Sequence, residues 1–274
     1  MKNIFKRGIS GFIYVVLTVG CILISKYTFF AYFAIILTYT LYEFYRLCKV
    51  GGNKPQVWLG IIASVYLFVA FFLYDLKLIG EIIFLGIIPV LMISPVIELF
   101  RNSERPVQNI AYTLLGIAYI AFPFSVLNFI ISPYELHPEL YVPEALLGLF
   151  IILWANDSGA YLVGSLWGKT KLLEKISPNK SWEGALGGAF FAIVISVFIF
   201  QYVGFMSPVH SIILSLLTVI AGTIGDLTES MFKRSFKVKD SGSIMPGHGG
   251  LLDRFDSMLF AAPIYFIYIS LFLN

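Results

Sequence analysis

The segment KDSGSIMPGHGGLLDRFDS, residues 239 to 257, sets Lys239, Asp240, His248, Asp253, Arg254 and Asp256 among four glycines. Shortly before it, Asp226, Glu229 and Lys233 recur at i, i+3 and i+7, a spacing that puts all three on one face of a helix. Asp253 and Asp256 share a face in the same way if a helix has begun by about Leu252. Converging carboxylates with few histidines and no cysteine beside them suit a hard cation such as Mg2+. That ion takes oxygen ligands and is commonly held by one or two carboxylates together with substrate phosphates. The competing reading makes Asp253 and Asp256 solvated acids at a helix N-terminus, favoured there by the dipole.

The glycines Gly242, Gly247, Gly249 and Gly250 free the backbone for positive φ and for close approach to a ligand. Consecutive N–H groups in such a turn can cradle an anion, and Lys233, Arg234, Lys237, Lys239 and Arg254 surround it with positive charge. Acids that suit a metal and bases that suit phosphate therefore interleave within about thirty residues. The combination fits chemistry on a polyphosphate, where cations and Lys/Arg clamps stabilise charge developing on phosphoryl oxygens. A plain basic loop explains the Lys and Arg, but it leaves PGHGG without a reason.

A second stretch, GKTKLLEKISPNKSWEG at residues 168 to 184, repeats the theme with Lys169, Ser177, Lys180, Ser181 and Glu183. It follows WANDSGAY, whose Asp157 lies deep in an apolar run. An ionisable group near the centre of a spanning helix costs roughly 2.5 to 3.5 kcal/mol, so Asp157 needs a partner or a wet cavity. Gly184, Gly187 and Gly188 read as a close helix-packing face.

The elements that must position these residues are helices in a membrane. Of 274 residues, 58% are hydrophobic and 13% charged, and the mean hydropathy is +0.86, more than a soluble core can use. Backbone polar groups in lipid must be satisfied within the segment, so apolar runs of about 20 residues mean helices. The expected fold class is all-α: a polytopic integral membrane protein with about nine transmembrane helices. The apolar runs are roughly 9–25, 28–47, 56–74, 78–99, 107–130, 145–168, 183–204, 208–232 and 257–273. With the N-terminus cytoplasmic and the C-terminus outside, 17 of the 19 Lys and Arg face the cytoplasm, leaving only Lys26 and Lys77 outside. The 131–144 loop has three Glu and no Lys or Arg. The first run reads as a retained span, with no cleavage site after it. Cys21 and Cys48 fall toward opposite faces, which excludes a disulfide.

The polar chemistry divides the chain. Residues 1–144 form a scaffold of five helices with possible contacts to a second copy, and small-residue faces permit a homodimer. Residues 145–274 carry the last four helices and the cytoplasmic loops 168–184 and 233–256. The net charge of +3 serves anchoring and gives no indication of nucleic-acid binding.

The stretch SMFKRSFKVKDSGSIMPGHGGLLDRFD closely resembles the signature of the phosphatidate cytidylyltransferase, or CDP-diacylglycerol synthase, family. NDSGAYLVGSLWGK and SPNKSWEGALGG are similar to its upstream motifs, so the resemblance covers roughly residues 156 to 256. Met245 stands where Leu, Ile or Phe is expected. The resemblance implies transfer of the cytidylyl group of CTP to phosphatidate, giving CDP-diacylglycerol and pyrophosphate, at the cytoplasmic membrane of a bacterium. It implies Mg2+, with room for a second cation, on Asp226 and Asp253. Lys233, Arg234, Lys239, His248 and Arg254 are implied phosphate binders, with Asp240 and Asp256 in supporting roles beside Gly249 and Gly250. Lys169, Ser177, Lys180, Ser181 and Glu183 fall to the CTP side. Two rivals remain open at this point: a CTP-dependent polyprenol kinase, and a transporter with Asp157 and Asp226 along its path.

Overall fold

The computed structural model describes residues 2–132, 141–242, 244 and 249–272, with residues 2–7 by backbone alone. His248 lies outside the described residues, as do Met245, Gly247 and the Glu135 and Glu139 of the acidic loop. The described chain is helical apart from one short hairpin. In order it forms α1 (Lys2–Ile24), α2 (Lys26–Val50), α3 (Val57–Asp75) and a 3-10 turn (Glu81–Gly86) leading into α4 (Ile87–Phe100). Next come α5 (Pro106–Gly116), a π-helical turn (Ile117–Ala121) and α6 (Phe122–Ile131), then α7 (Pro143–Trp167). The hairpin β1 (Lys171–Leu173) and β2 (Ser177–Ser181) precedes α8 (Trp182–Val203), α9 (Pro208–Ser235) and α10 (Leu252–Phe272).

Local chemistry marks the helix ends. Ser25 caps α2 through a reciprocal box with Thr28. The Ser181 Oγ accepts from the Gly184 N–H at 3.1 Å to start α8, and Gly204 at φ +71 ends it. Proline sits in the first turn of α5, α7 and α9, where its missing N–H costs nothing.

Seven stretches have the length and apolarity of a membrane span: α3, Glu81–Phe100, Pro106–Ile131, α7, α8, α9 and α10. Nine were read from the sequence; α1 is described with side chains only over its apolar run Gly8–Ile24, and α2 is less apolar along its length, with Lys26, Glu43, Arg46 and Lys49 among many Tyr and Thr.

Two packing features set the polar end of the bundle. The first is a cluster of aromatic side chains from four helices. Phe255 of α10 is fully buried, with ring centroids 6.3 Å from Phe33 and Phe150 and 5.5 Å from Phe124. This anchor holds its neighbours Arg254 and Asp256 at a fixed height. The second is close helix contact. A methyl on Gly188 would lie 2.6 Å from the Asn156 carbonyl oxygen, and one on Gly225 would lie 2.5 Å from that of Asp256, so α7 meets α8 and α9 meets α10 nearly backbone to backbone.

Adding a methyl at such a contact forces the helices apart at a cost of about 1 to 3 kcal/mol. Gly188→Ala should lower the thermal midpoint in detergent by several degrees, while Gly20→Ala, with nothing within 4 Å of the added methyl, should leave it unchanged. Equal midpoints for the two variants would contradict the close-packing account.

Candidate active site

The helices bring the two polar loops to one end of the bundle. The hairpin follows α7, α9 ends at Ser235 beside the α2–α3 turn, where Phe236 fills the space over Gly51, and α10 begins at Leu252 against Glu43 of α2. Between α7, α8, α9 and the hairpin lies a cavity of about 580 Å3, within the usual range for a small-ligand site. Its walls include Asp157, Asp226, Ser177, Lys180 and Ser181, together with Asn156, Asn179 and Thr223. Asp157 is thereby explained: it keeps solvent-accessible surface by opening into the cavity, although its helix is apolar.

Lys180 of β2 forms an ion pair with Asp226 of α9 across the cavity. The hairpin is clasped from outside as well. The Arg234 Nε donates to the Ile176 carbonyl and its Nη1 to the Val238 carbonyl, both at 3.3 Å. Glu183 accepts from the Lys169 and Thr170 N–H groups at 3.1 Å, which fixes the chain leaving α7.

Beside the cavity lies a second cluster. Lys233 pairs with Glu229 one turn back and with the Asp253 Oδ1 at 2.5 Å. The other oxygen of Asp253 accepts from the Ser241 N–H at 3.1 Å, the Ser241 hydroxyl at 2.7 Å and the Gly250 N–H at 2.8 Å. Asp253 thus gathers the two ends of the 239–252 loop. Gly249 stands at φ +81, and a side chain there would begin 2.6 Å from the Asp253 Oδ2, so conformation and space both demand glycine. Asp256 is buried within electrostatic reach of Asp226, Asp157 and Glu229, linking the two clusters, and Arg254 acts on Asp157.

The donor set fits a hard cation. Five carboxyl groups (Asp157, Asp226, Glu229, Asp253 and Asp256) face three cations (Lys180, Lys233 and Arg254), and every metal-capable atom is oxygen. Among the described residues no three such side chains close on one point as a ready-made cage. Mg2+ does not require one, since it usually keeps water and phosphate oxygens in its shell. Lys239 and Asp240 are exposed and do not line the cavity.

Several residues carried no signal in the sequence. Glu43 of α2 is buried, and its Oε2 accepts from the Leu252 N–H at 2.9 Å, with Gly242 and Gly250 packed against its carboxylate. Tyr119, carried by the π turn, is buried with an unpaired hydroxyl within electrostatic reach of Asp256, Glu229 and Asp226. π turns often occur at functional sites. Asn156 was legible only as part of NDSGAY, and Glu43 looked like one acid in an aromatic helix.

Comparisons with known proteins identify the family. The model of the cytidylyltransferase family matches residues 5–272. A phosphatidate cytidylyltransferase of Haemophilus influenzae is 39% identical over 196 residues, covering 70% of this chain and 67% of the relative. One from Staphylococcus aureus is 42% identical over 158 residues, covering 57% and 58%, and one from Bacillus subtilis is 50% identical over 125 residues, covering 44% and 46%. The chain thus aligns with about half to two thirds of these relatives' length.

A hydrogen bond to a buried carboxylate contributes about 1.5 to 3 kcal/mol. In Glu43→Ala, hydrogen–deuterium exchange across residues 249–253 should accelerate at least about tenfold. Unchanged exchange would show that α2 does not hold the loop.

Proposed function

Since the chain belongs to the cytidylyltransferase family, we propose that it transfers the cytidylyl group of CTP to phosphatidate, releasing pyrophosphate and leaving CDP-diacylglycerol in the membrane. The observation that carries the proposal is the cavity where Lys180, Ser177 and Ser181 of the hairpin meet Asp226 and Asp157, next to the loop held by Asp253. In the proposed orientation all nine helical stretches span the cytoplasmic membrane of a bacterium, with the N-terminus inside and the C-terminus outside. Support comes from the Lys and Arg gathered at the loop-bearing end. CTP then arrives from the cytosol and phosphatidate from the adjoining leaflet.

An oxygen of the phosphatidate phosphate attacks the α-phosphorus of CTP. The bond from that phosphorus to the oxygen leading to the β-phosphate breaks, and pyrophosphate leaves. Both reactants are anions, so the main obstacle is their repulsion, and positioning plus charge neutralisation supply most of the acceleration. No deep general base is needed, because the second ionisation of a phosphomonoester lies near pH 6. Lys180, Lys233, Arg234, Lys239, His248 and Arg254 are the groups proposed to meet phosphates. Ser177, Ser181 and Lys169 fall on the CTP side, and Glu183 holds the Lys169 turn in place. Asp226 and Asp253 are the residues proposed to hold Mg2+, with Asp256 oriented behind them. Bound there, Mg2+ neutralises charge developing on the phosphoryl oxygens. Lys180 and Lys233, paired with these two acids, are the cations nearest to where the phosphates would lie.

Purified protein with labelled CTP, phosphatidate and Mg2+ should release pyrophosphate and form a CDP-lipid, and chelation should stop both. Release of CDP instead would identify a kinase. Asp226→Asn and Asp253→Asn should each abolish product with expression intact, and near-normal turnover in both would remove the metal proposal. Lys180→Gln should lower kcat/KM for CTP by about 10²- to 10³-fold, as for loss of a preorganised charge-stabilising donor.

A further inference from the structure

A second cavity, of about 570 Å3, opens between the end of α2, the α2–α3 turn, α3 and the end of α4, and it shares no lining residue with the first. Its polar wall holds Lys49, Lys54 and Arg101, and its apolar wall includes Trp58 and Ile97. Lys49 and Lys54 are exposed, and among the described residues neither forms an ion pair. Trp58, 78% exposed, lines this open cavity. Arg101 is held in place: its Nη1 donates to the Glu98 Oε2 at 2.8 Å, and the same oxygen accepts from the buried Gln56 Nε2 at 2.9 Å. Glu98 is the acid that pairs with Arg101. Its other oxygen is occupied by Asn109, so its charge is spent inward while the two lysines are left unbalanced.

We propose that this cavity binds the headgroup phosphate and upper acyl chains of an anionic phospholipid, separately from the lipid that reacts. In the orientation proposed above, on which this inference rests, the cavity lies where helices end on the loop-bearing side, at the level expected for lipid phosphates. The chemistry is right as well. Two unpaired ammonium groups over a tryptophan and aliphatic wall complement a phosphate above hydrocarbon, and basic pockets between helix ends are where anionic headgroups seat. A soluble phosphate compound would leave the Trp58 and Ile97 wall uncovered, so the lipid is the occupant that fills both halves. Its seat is on α2, the helix whose Glu43 grips the 239–252 loop.

The test uses the full chain in phosphatidylcholine bilayers and reads quenching of Trp58, taken as the difference from Trp58→Phe. Brominated phosphatidylglycerol should quench Trp58 at least threefold more than brominated phosphatidylcholine at equal mole fraction. The preference should vanish in Lys49→Gln/Lys54→Gln and persist in Lys49→Arg/Lys54→Arg. If the glutamine variant fails to fold, the wild-type protein gives the same reading, since about 1 M salt shortens the Debye length to about 3 Å and should erase the preference. Equal quenching by the two lipids, or a preference indifferent to the lysines and to salt, would overturn the proposal. Displacement of the brominated lipid by millimolar glycerol phosphate would overturn it in favour of a soluble ligand.

Discussion

Five carboxyl groups set into an oily helical bundle must each be met by a donor or a cation, and the layout of the protein's polar end follows from that constraint. Lys180 meets Asp226, which pulls the hairpin down over α9 and roofs the cavity. Lys233 meets Glu229 and Asp253, and Asp253 spends its remaining capacity on Ser241 and Gly250, which closes the glycine loop. Satisfying that carboxylate ties the described ends of the loop, and Gly249 is where it approaches too closely for a side chain, as Gly242 and Gly250 are for the carboxylate of Glu43. The same pairings place two lysines beside the acids at the mouth of the two polar loops.

The N-terminal half takes part in this arrangement. Glu43 reaches from α2 to the amide of Leu252, and Phe33 packs against Phe255. Tyr119, on the π turn, is buried within electrostatic reach of the acids. The start of α10 and the described ends of the 239–252 loop thus pack against both the N-terminal and the C-terminal helices.

Much of this was legible because membrane helices announce themselves by apolar length and because i, i+3 spacing survives folding. The expected run 208–232 becomes α9 at Pro208–Ser235, and α10 starts at Leu252, which lets Asp253 and Asp256 share a face. The 168–184 segment could be read for its residue types but not for its shape. Three- and five-residue strands containing a proline carry no alternation, and the hairpin exists because Lys180 and Arg234 tie it down. Glu43 was beyond reach for the same reason. Its partner lies 209 residues away, and nothing local distinguishes a helical acid that grips a loop from one that faces water.

The central claim is that CTP occupies the cavity under the hairpin. Photo-crosslinking with an azido-CTP analogue, followed by mapping of the adducts, tests it directly. The account requires adducts on residues 171–181 and 156–165 that excess CTP suppresses. CTP-suppressed adducts confined to α1–α6 would place the nucleotide elsewhere and contradict it.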